Sequence, residues 1–273
     1  MKIISLCPSN TELCVYLGVE NQLIALDDYS DWPESVQHLP RLGPDLSINI
    51  DLVEKLQPDL VLASLSVPGM EKNIKDLQDR GIPHLTFNPQ SLDDIAKDLL
   101  TLGDALGMEK RASEAVRTYR SRLQQFEDTA KRIEHKAALY WEWWPNPLFS
   151  PGGVNWLTEI SRLAGGYNIF ETVDLASIQV PFEDVRKLDP AYILLAWVGV
   201  PTSRIKPELV KKRPGWKEMK AVQQDQVLIL EEPLYCRPSP RLLDGLEKLA
   251  LILHPLHYQY LTDKPLESHP KQV

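Results

Sequence analysis

The sequence predicts an α/β protein with two lobes, each containing a mainly parallel central sheet flanked by helices, and one long helix that connects them. In both halves of the 273-residue chain, short apolar runs alternate with helical patterns, which is typical of parallel β-α-β units. Between the halves lies the stretch 109–136, which is rich in Arg, Glu, Ala and Gln and contains neither Gly nor Pro. This stretch predicts the connecting helix, and the chain is long enough for two domains.

The first lobe begins with an apolar run at residues 3–6, which predicts a buried strand. Residues 8–12 carry side chains that favour the capping of a helix, and the apolar residues of 13–17 form its buried face. The next strand is predicted at Leu23–Leu26 and is followed by the polar and aromatic segment 27–33. Ligands of open α/β sheets bind at the carboxyl ends of strands, so this segment is the first candidate for ligand contact.

The remaining elements follow the same alternation along the chain. In the first lobe the patterns predict strands at Leu60–Ser64 and His84–Phe87 and helices at Ile50–Leu56, at 70–80 and after Ser91. In the second lobe they predict strands at 137–144, 191–198 and 226–230, and helices at Trp156–Leu163, Phe182–Leu188, 207–210 and 241–253. The predicted limits are 1–107 for the first lobe, 108–136 for the connecting helix, 137–255 for the second lobe and 256–273 for an aperiodic tail that is draped over the surface or frayed.

Composition and motifs exclude several classes of function. A net charge of −8 argues against nucleic acid or an anionic membrane as the main partner, since both require a concentrated basic surface. No apolar run approaches the length of a membrane span, and no signal peptide precedes the first strand, so the sequence as written predicts a cytoplasmic protein. We expect it to be a monomer. The alternative is an extracytoplasmic, membrane-associated protein whose leader has been removed.

Catalytic and metal-binding signatures are absent from the sequence. The spacings of nucleophile elbows, zinc proteases, phosphate loops and dinucleotide folds do not occur, so we expect a binding protein without catalytic residues or a catalytic cofactor. The six histidines and three cysteines show no zinc spacing, so no metal ligands are predicted.

Aromatic residues gather where predicted strands end. Tyr29 and Trp32 follow one strand, Trp197 ends another, and Tyr235 follows a third. Aromatic faces bury a large area at a low entropic cost, so this distribution is typical of a site for a large, flat, mostly apolar ligand.

Five segments in order resemble the substrate-binding proteins of cobalamin, haem and siderophore uptake, the class of ABC-transporter binding proteins whose two lobes are joined by a single helix. The resemblance is closest to the cobalamin-binding branch. Besides the first 33 residues, it rests on 49–61 (NIDLVEKLQPDLV), 146–152 (NPLFSPG), 164–170 (AGGYNIF) and 237–241 (RPSPR).

The resemblance implies a non-catalytic protein that holds a corrinoid, cobalamin, in the cleft between its lobes for ABC-type uptake or for intracellular delivery. Tyr29 matches an aromatic residue that contacts the corrinoid, Phe149 matches an aromatic residue of the second lobe, and a loop of that lobe matches Pro233, Leu234, Tyr235, Cys236 and Arg237. The sequence departs from those relatives at residues 63–66, which read ASLS where the relatives have a tryptophan.

Two carboxylates resemble residues that dock such proteins onto an arginine pocket of an ABC permease. Asp51 and Glu183 each stand at the start of a predicted helix, one in each lobe. Carboxylates at these positions also stabilise the helix dipole, and the two roles are compatible.

Two alternatives remain open at this stage. A haem or ferric-siderophore binding protein would use Tyr29 or Tyr235 as an iron ligand, or Arg237 and Arg241 to hold an anion. An enzyme of corrinoid or tetrapyrrole metabolism on a similar scaffold would need an acid-base pair, for which Glu142 with Asp28 is the candidate.

Overall fold

The computed structural model describes residues 1–261, and these residues form two compact units. Unit 1 comprises residues 1–120 together with Pro238–Pro240, and unit 2 comprises residues 121–237 and 241–261. The boundary at Arg120 lies inside a helix, so this helix carries the chain from unit 1 into unit 2. The lobe limits predicted at residues 107 and 137 remain predictions.

Unit 1 is a parallel four-stranded sheet with helices after its strands, in the strand order β2-β1-β3-β4. Its elements are β1 (Ile3–Ser5), α1 (Pro8–Tyr16), β2 (Leu23–Leu26), α2 (Ile50–Leu56), β3 (Leu60–Ser64), α3 (Glu71–Asp79), β4 (His84–Phe87), α4 (Leu92–Ala105) and α5 (Glu109–Ala130), which continues into unit 2.

Unit 2 contains a parallel four-stranded sheet in the order β11-β10-β5-β8 and a small antiparallel sheet in the order β6-β7-β9. Its elements are β5 (Ala137–Glu142), β6 (Trp144–Pro145), β7 (Leu148–Pro151), α6 (Trp156–Leu163), β8 (Gly166–Asn168), β9 (Ser177–Gln179), α7 (Phe182–Leu188), β10 (Tyr192–Leu195), α8 (Pro207–Lys211), α9 (Lys220–Gln223), β11 (Val227–Ile229), α10 (Leu242–Leu253) and α11 (Pro255–Tyr258).

The inner strands of both parallel sheets, β1 and β3 in unit 1 and β5 and β10 in unit 2, are short and largely apolar runs whose side chains are mostly buried, which is why the apolar pattern predicts them well. All five residues of β3 and all three residues of β1 are buried. On one side of the unit 1 sheet the core contains Ile4, Leu6, Ala25, Leu42, Ile48, Ile50, Val53, Val61, Ala63, Leu77 and Ile82. The α/β class with two mainly parallel sheets is therefore confirmed.

The helix α5 is shorter than the sequence predicts, because it ends at Ala130 and not near Lys136. Beyond this point the backbone tightens, since the N–H groups of Arg132 and Ile133 each bond to the carbonyl three residues earlier. Ile133 is buried, so the turn brings an apolar side chain into the core of unit 2. Helical composition alone carries no signal for this early end.

The prediction of a surface-draped tail from residue 256 is wrong for residues 256–261, which form the end of α11 and a short 3₁₀ turn. Tyr258 is fully buried, its ring stacks on Phe126 of α5 with a centroid distance of 5.7 Å, and its hydroxyl donates to the Leu163 carbonyl at 2.6 Å. The hydroxyls of Thr129 and Tyr260 form a further hydrogen bond. The rest of the predicted tail, 262–273, lies outside the described residues.

Candidate ligand-binding residues

The loop after β2 presents an aromatic side chain at the carboxyl-terminal edge of the unit 1 sheet. Tyr29 is 49% exposed, whereas Trp32 is half-buried and lies against Tyr16 with a ring-centroid distance of 6.4 Å. The exposed face of Tyr29 is therefore open to a ligand, and Trp32 packs at the base of the loop. The structure does not test whether either residue binds a ligand, so both assignments remain predictions.

A buried polar network lies beneath this loop. The Asp27 carboxylate accepts hydrogen bonds from the Tyr29 N–H at 2.7 Å and from the Ser30 hydroxyl. The Ser30 and Thr11 hydroxyl oxygens lie 2.7 Å apart, and Thr11 donates to the Ser5 hydroxyl at 2.9 Å. Buried polar groups are stable only when they are hydrogen-bonded, so this chain of contacts ties the loop to β1 and α1.

Sequence reasoning missed that the polar side chains of α1 point into the core of unit 1. Cys7 occupies the N-cap position of α1, but its side chain makes no capping hydrogen bond. The polar residues expected to cap the helix lie inside it and are buried: Asn10 donates to the Ala63 carbonyl at 3.0 Å, and Glu12 accepts from the Ser239 hydroxyl. Ser-Asn-Thr-Glu is also an ordinary helix-start sequence, so local pattern could not reveal the inward orientation.

In unit 2, two aromatic residues share one face of the antiparallel sheet. Trp144 of β6 and Phe149 of β7 are register partners, which places their side chains side by side. Trp144 is 44% exposed, and Phe149 is half-buried. The predicted ligand residue Phe149 is thus accompanied by a more accessible tryptophan.

Trp197 is held by a buried ion pair. Its indole N–H donates to the Glu142 carboxylate at 3.1 Å, and the same carboxylate accepts two hydrogen bonds from Arg213, one of them at 2.8 Å. Glu142 also accepts from the Tyr140 hydroxyl at 3.2 Å and is fully buried. Trp197 is itself only 9% exposed, so its described role is packing, and its contact with a ligand remains a prediction.

These contacts describe the surroundings of Glu142, which the enzyme alternative pairs with Asp28. Glu142 is not a free carboxylate available for proton transfer, because four hydrogen bonds from three side chains hold it. Asp28 lies in unit 1, where its carboxylate accepts from the Gly43 N–H at 3.1 Å. The burial of Glu142 and its hydrogen bonds are therefore explained by a structural role, as the acidic partner in a buried ion pair with Arg213.

The loop 233–237 is packed into unit 2. Tyr235 is fully buried, lies 5.5 Å from the Trp141 ring and donates to the Gly245 carbonyl at 2.8 Å. This burial corrects the expectation of an accessible aromatic wall at Tyr235. Its proposed ligand contact remains a prediction that the structure does not test.

The neighbours of Tyr235 in this loop are also held by the protein. Leu234 is buried and Pro233 is half-buried. The Cys236 thiol donates to the Ala196 carbonyl at 3.3 Å, and burial raises its pKa well above the ordinary value, which keeps it protonated. Arg237 is 8% exposed and pairs with Glu232 at 3.1 Å. An anion that binds Arg237 would have to compete with this carboxylate.

Asp51 and Glu183 occupy equivalent positions in the two units. Each stands in the first turn of a seven-residue helix, α2 or α7, that leads into an inner strand of its parallel sheet. Both helices end at a residue in the left-handed conformation, with φ of 49° at Gln57 and 43° at Asp189, and a proline follows each. The two units are thus built alike around these carboxylates.

Both carboxylates are exposed and paired with arginine. The Asp51 side chain is 83% exposed and lies 2.6 Å from the Arg80 guanidinium. Glu183 is 51% exposed and accepts two hydrogen bonds from Arg186, which hold the pKa of the glutamate below its ordinary value. Such exposed pairs contribute little to stability, so both carboxylates can exchange partners.

Two further observations concern metal and membrane. Within residues 1–261, no group of three or more His, Cys, Asp or Glu side chains is arranged to hold a metal ion. None of the helices in this part of the chain combines the length and the apolar character that a membrane crossing requires.

Comparison with known proteins gives a consistent family description. Residues 3–234 match the family model described as periplasmic binding protein. An uncharacterized ABC transporter substrate-binding lipoprotein of Bacillus subtilis, YvrC, is 32% identical over 259 residues, which cover 93% of this chain and 80% of the relative. The Vitamin B12-binding protein of Vibrio cholerae is 27% identical over 252 residues, covering 92% of this chain and 88% of the relative.

Solved structures agree with this description. The periplasmic vitamin B12 binding protein BtuF of Vibrio cholerae superposes with a TM-score of 0.76 at 26% identity, covering 96% of this chain and 98% of that structure. A periplasmic haem-binding protein from Pseudomonas aeruginosa superposes with a TM-score of 0.79 at 25% identity, covering 93% of both chains. The structural likeness therefore includes binders of two different tetrapyrrole-type ligands.

Proposed function

Because this chain belongs to the periplasmic binding protein family, we propose that it is a non-catalytic substrate-binding protein of an ABC uptake system and that its ligand is a corrinoid, cobalamin. Family membership accounts for the class of function. The corrinoid is supported by similarity to vitamin B12-binding proteins along 92% of the chain. The observation that carries the assignment to residues is the exposed ring of Tyr29 at the strand end where such folds bind ligands.

Tyr29→Ala is expected to weaken cobalamin binding by about 1–3 kcal/mol, as for the loss of an aromatic anchor. Calorimetric titration with cyanocobalamin measures this change. The matched control is Tyr167→Ala, since Tyr167 is also an exposed tyrosine but lies on β8 of unit 2. Equal affinities in the native chain and the Tyr29 variant would contradict the assignment.

The second candidate ligand is haem, favoured by the likeness to the Pseudomonas aeruginosa haem-binding protein. Tyr29 would then serve as an iron ligand through its hydroxyl. The test is to mix the protein separately with cyanocobalamin, hemin and a ferric siderophore, to desalt each sample and to record the visible spectrum. A retained corrinoid spectrum supports the proposal, and retention of hemin alone replaces cobalamin with haem.

We also propose that Asp51 and Glu183 dock the protein onto the permease. The double variant Asp51→Ala/Glu183→Ala should bind cobalamin like the native chain and fail in transport, because removing a carboxylate from a desolvated arginine partner costs about 2 kcal/mol or more. Uptake of labelled cobalamin by intact cells measures this effect. The control is Asp79→Ala/Glu208→Ala, which also removes one exposed carboxylate from each unit. Equal transport by both double variants would contradict docking.

The expected cytoplasmic location finds no support among the relatives, one of which is described as a lipoprotein and another as periplasmic. We infer that this protein works outside the cytoplasmic membrane, where a binding protein can meet an uptake permease. Fractionation of native cells with an antibody tests the inference. Protein found only in the cytoplasmic fraction would contradict both the location and the docking role.

A further inference from the structure

The turn that carries Tyr29 is held from within by one buried carboxylate. Asp27 directly follows β2, its N–H donates to the Ser5 carbonyl of β1 at 3.1 Å, and its side chain is fully buried. We propose that Asp27 is a positioning residue, which sets the backbone of Tyr29 and so presents the tyrosine ring to the ligand. This inference rests on the proposed function, since it concerns how a predicted ligand contact is held.

The geometry of the turn carries the proposal. One carboxylate oxygen of Asp27 accepts the Tyr29 N–H at 2.7 Å, and the other accepts the Ser30 hydroxyl. An aspartate that binds the N–H two residues ahead forms an Asx turn, which fixes the backbone between the two residues. The Tyr29 main chain is thus restrained while its side chain stays 49% exposed.

The carboxylate is in turn held by the core of unit 1. The Ser30 hydroxyl oxygen lies 2.7 Å from the Thr11 hydroxyl oxygen of α1, and Thr11 donates to Ser5 of β1. The Ser5 hydroxyl donates to the Cys7 carbonyl at 2.9 Å. All the side chains of this chain of hydrogen bonds are buried, so water cannot easily replace a lost partner.

Arg41 holds the same turn from its other side. One nitrogen of its guanidinium donates to the carbonyls of Asp27 at 2.9 Å and of Ser30 at 2.6 Å. Both ends of the turn are therefore fixed at the main chain, and Tyr29 lies between them. A binding residue that is ordered before the ligand arrives loses less entropy on binding, which is the physical benefit of this arrangement.

The test compares three variants. Asp27→Ala removes both acceptors, whereas Asp27→Asn keeps an oxygen for the Tyr29 N–H and an amide that can bond to Ser30. Asp31→Ala is the matched control, because it removes an exposed carboxylate from the same loop and leaves the acceptor of the Tyr29 N–H in place. Amide hydrogen exchange at Tyr29 in the free protein and titration with cyanocobalamin are both measured, and far-UV circular dichroism checks that each variant is folded.

We expect exchange of the Tyr29 N–H to be about tenfold faster and cobalamin binding about tenfold weaker in Asp27→Ala, with both values close to native in Asp27→Asn and Asp31→Ala. When Tyr29→Ala is already present, Asp27→Ala should cause no further loss of affinity, because Asp27 affects binding only through the Tyr29 ring, which this variant lacks. Unchanged exchange at Tyr29, or an equal loss of affinity in the Tyr29→Ala background, would overturn the proposal.

Failure of the proposed function would look different from failure of this inference. A native chain that retains no cobalamin contradicts the function and with it the binding role of Asp27, even where Tyr29 exchange responds to Asp27→Ala. A native chain that retains cobalamin, together with an Asp27→Ala variant that binds it equally well, overturns the positioning role alone.

Discussion

Arg213→Met is expected to lower the free energy of unfolding by about 3–5 kcal/mol, because it leaves the Glu142 carboxylate buried without its cation. Glu142 is fully buried, and the Arg213 side chain is 11% exposed. The guanidinium also lies over the rings of Trp216 and Phe182, at 4.6 and 5.3 Å from their centroids. Methionine keeps an apolar stem against these rings, so the variant mainly removes charge. Urea unfolding followed by far-UV circular dichroism measures the change.

The control for this prediction is Arg186→Met. Arg186 also binds a glutamate through two nitrogens, but its pair with Glu183 is exposed, so we expect a loss of less than about 1 kcal/mol. Adding Glu142→Gln to Arg213→Met should recover part of the loss, because an amide carries no buried charge. Similar losses for Arg213→Met and Arg186→Met would show that burial of the ion pair is not decisive.

Tyr258→Ala is expected to lower the free energy of unfolding by about 3–5 kcal/mol, as for the truncation of other large buried side chains. The variant removes a stacked contact with Phe126 and leaves the Leu163 carbonyl without its hydroxyl donor. The same unfolding experiment applies, and it should show a clear fall in the urea midpoint.

Leu256→Ala provides the matched control for Tyr258, since Leu256 lies on the same short helix and is 79% exposed. Its loss should stay within about 0.5 kcal/mol. If Tyr258→Ala were equally mild, residues 256–261 would behave as the surface-draped tail that the sequence predicts.

Most strands of the parallel sheets could be predicted because they are marked locally, whereas β8 (Gly166–Asn168) contains no apolar run and the sequence does not predict it. Leu23–Leu26, Leu60–Ser64 and His84–Phe87 are short apolar runs bounded by turn-forming residues, and the structure has strands at these positions. The inner strand Leu60–Ser64 is fully buried and is apolar except for its last residue, so its run of apolar residues is enough to recognise it.

The missed elements depend on contacts that are distant in the chain. Tyr258 is ordered by Phe126, which lies more than 100 residues earlier, and no local period marks that contact. The short strands β6, β7 and β9 contain prolines and polar residues, and they pair with each other around a turn. Local propensity is a weak guide where tertiary packing decides.

The surroundings of the candidate residues could be predicted only in part, because they too depend on contacts that are distant in the chain. The position of Tyr29 at a strand end could be predicted because it follows a strongly marked strand, whereas the burial of Tyr235 depends on its contacts with Trp141 and Gly245. Glu142 looked like a free acid because its partner Arg213 is 71 residues away. A single sequence shows which side chains follow a strand, but not which of them the fold covers.

The return of residues 238–240 to unit 1 has a consequence for how the protein is made. Glu12 is buried near the amino terminus, and the Ser239 hydroxyl that binds it is synthesised only after the 117 residues from 121 to 237 have been added. At about 5–20 residues per second, the ribosome needs roughly 6–23 s for this stretch. During that interval the nascent unit 1 lacks one of its buried hydrogen-bond donors. Its last contacts therefore form after most of unit 2 has been translated, so the amino-terminal unit reaches its complete structure late in synthesis.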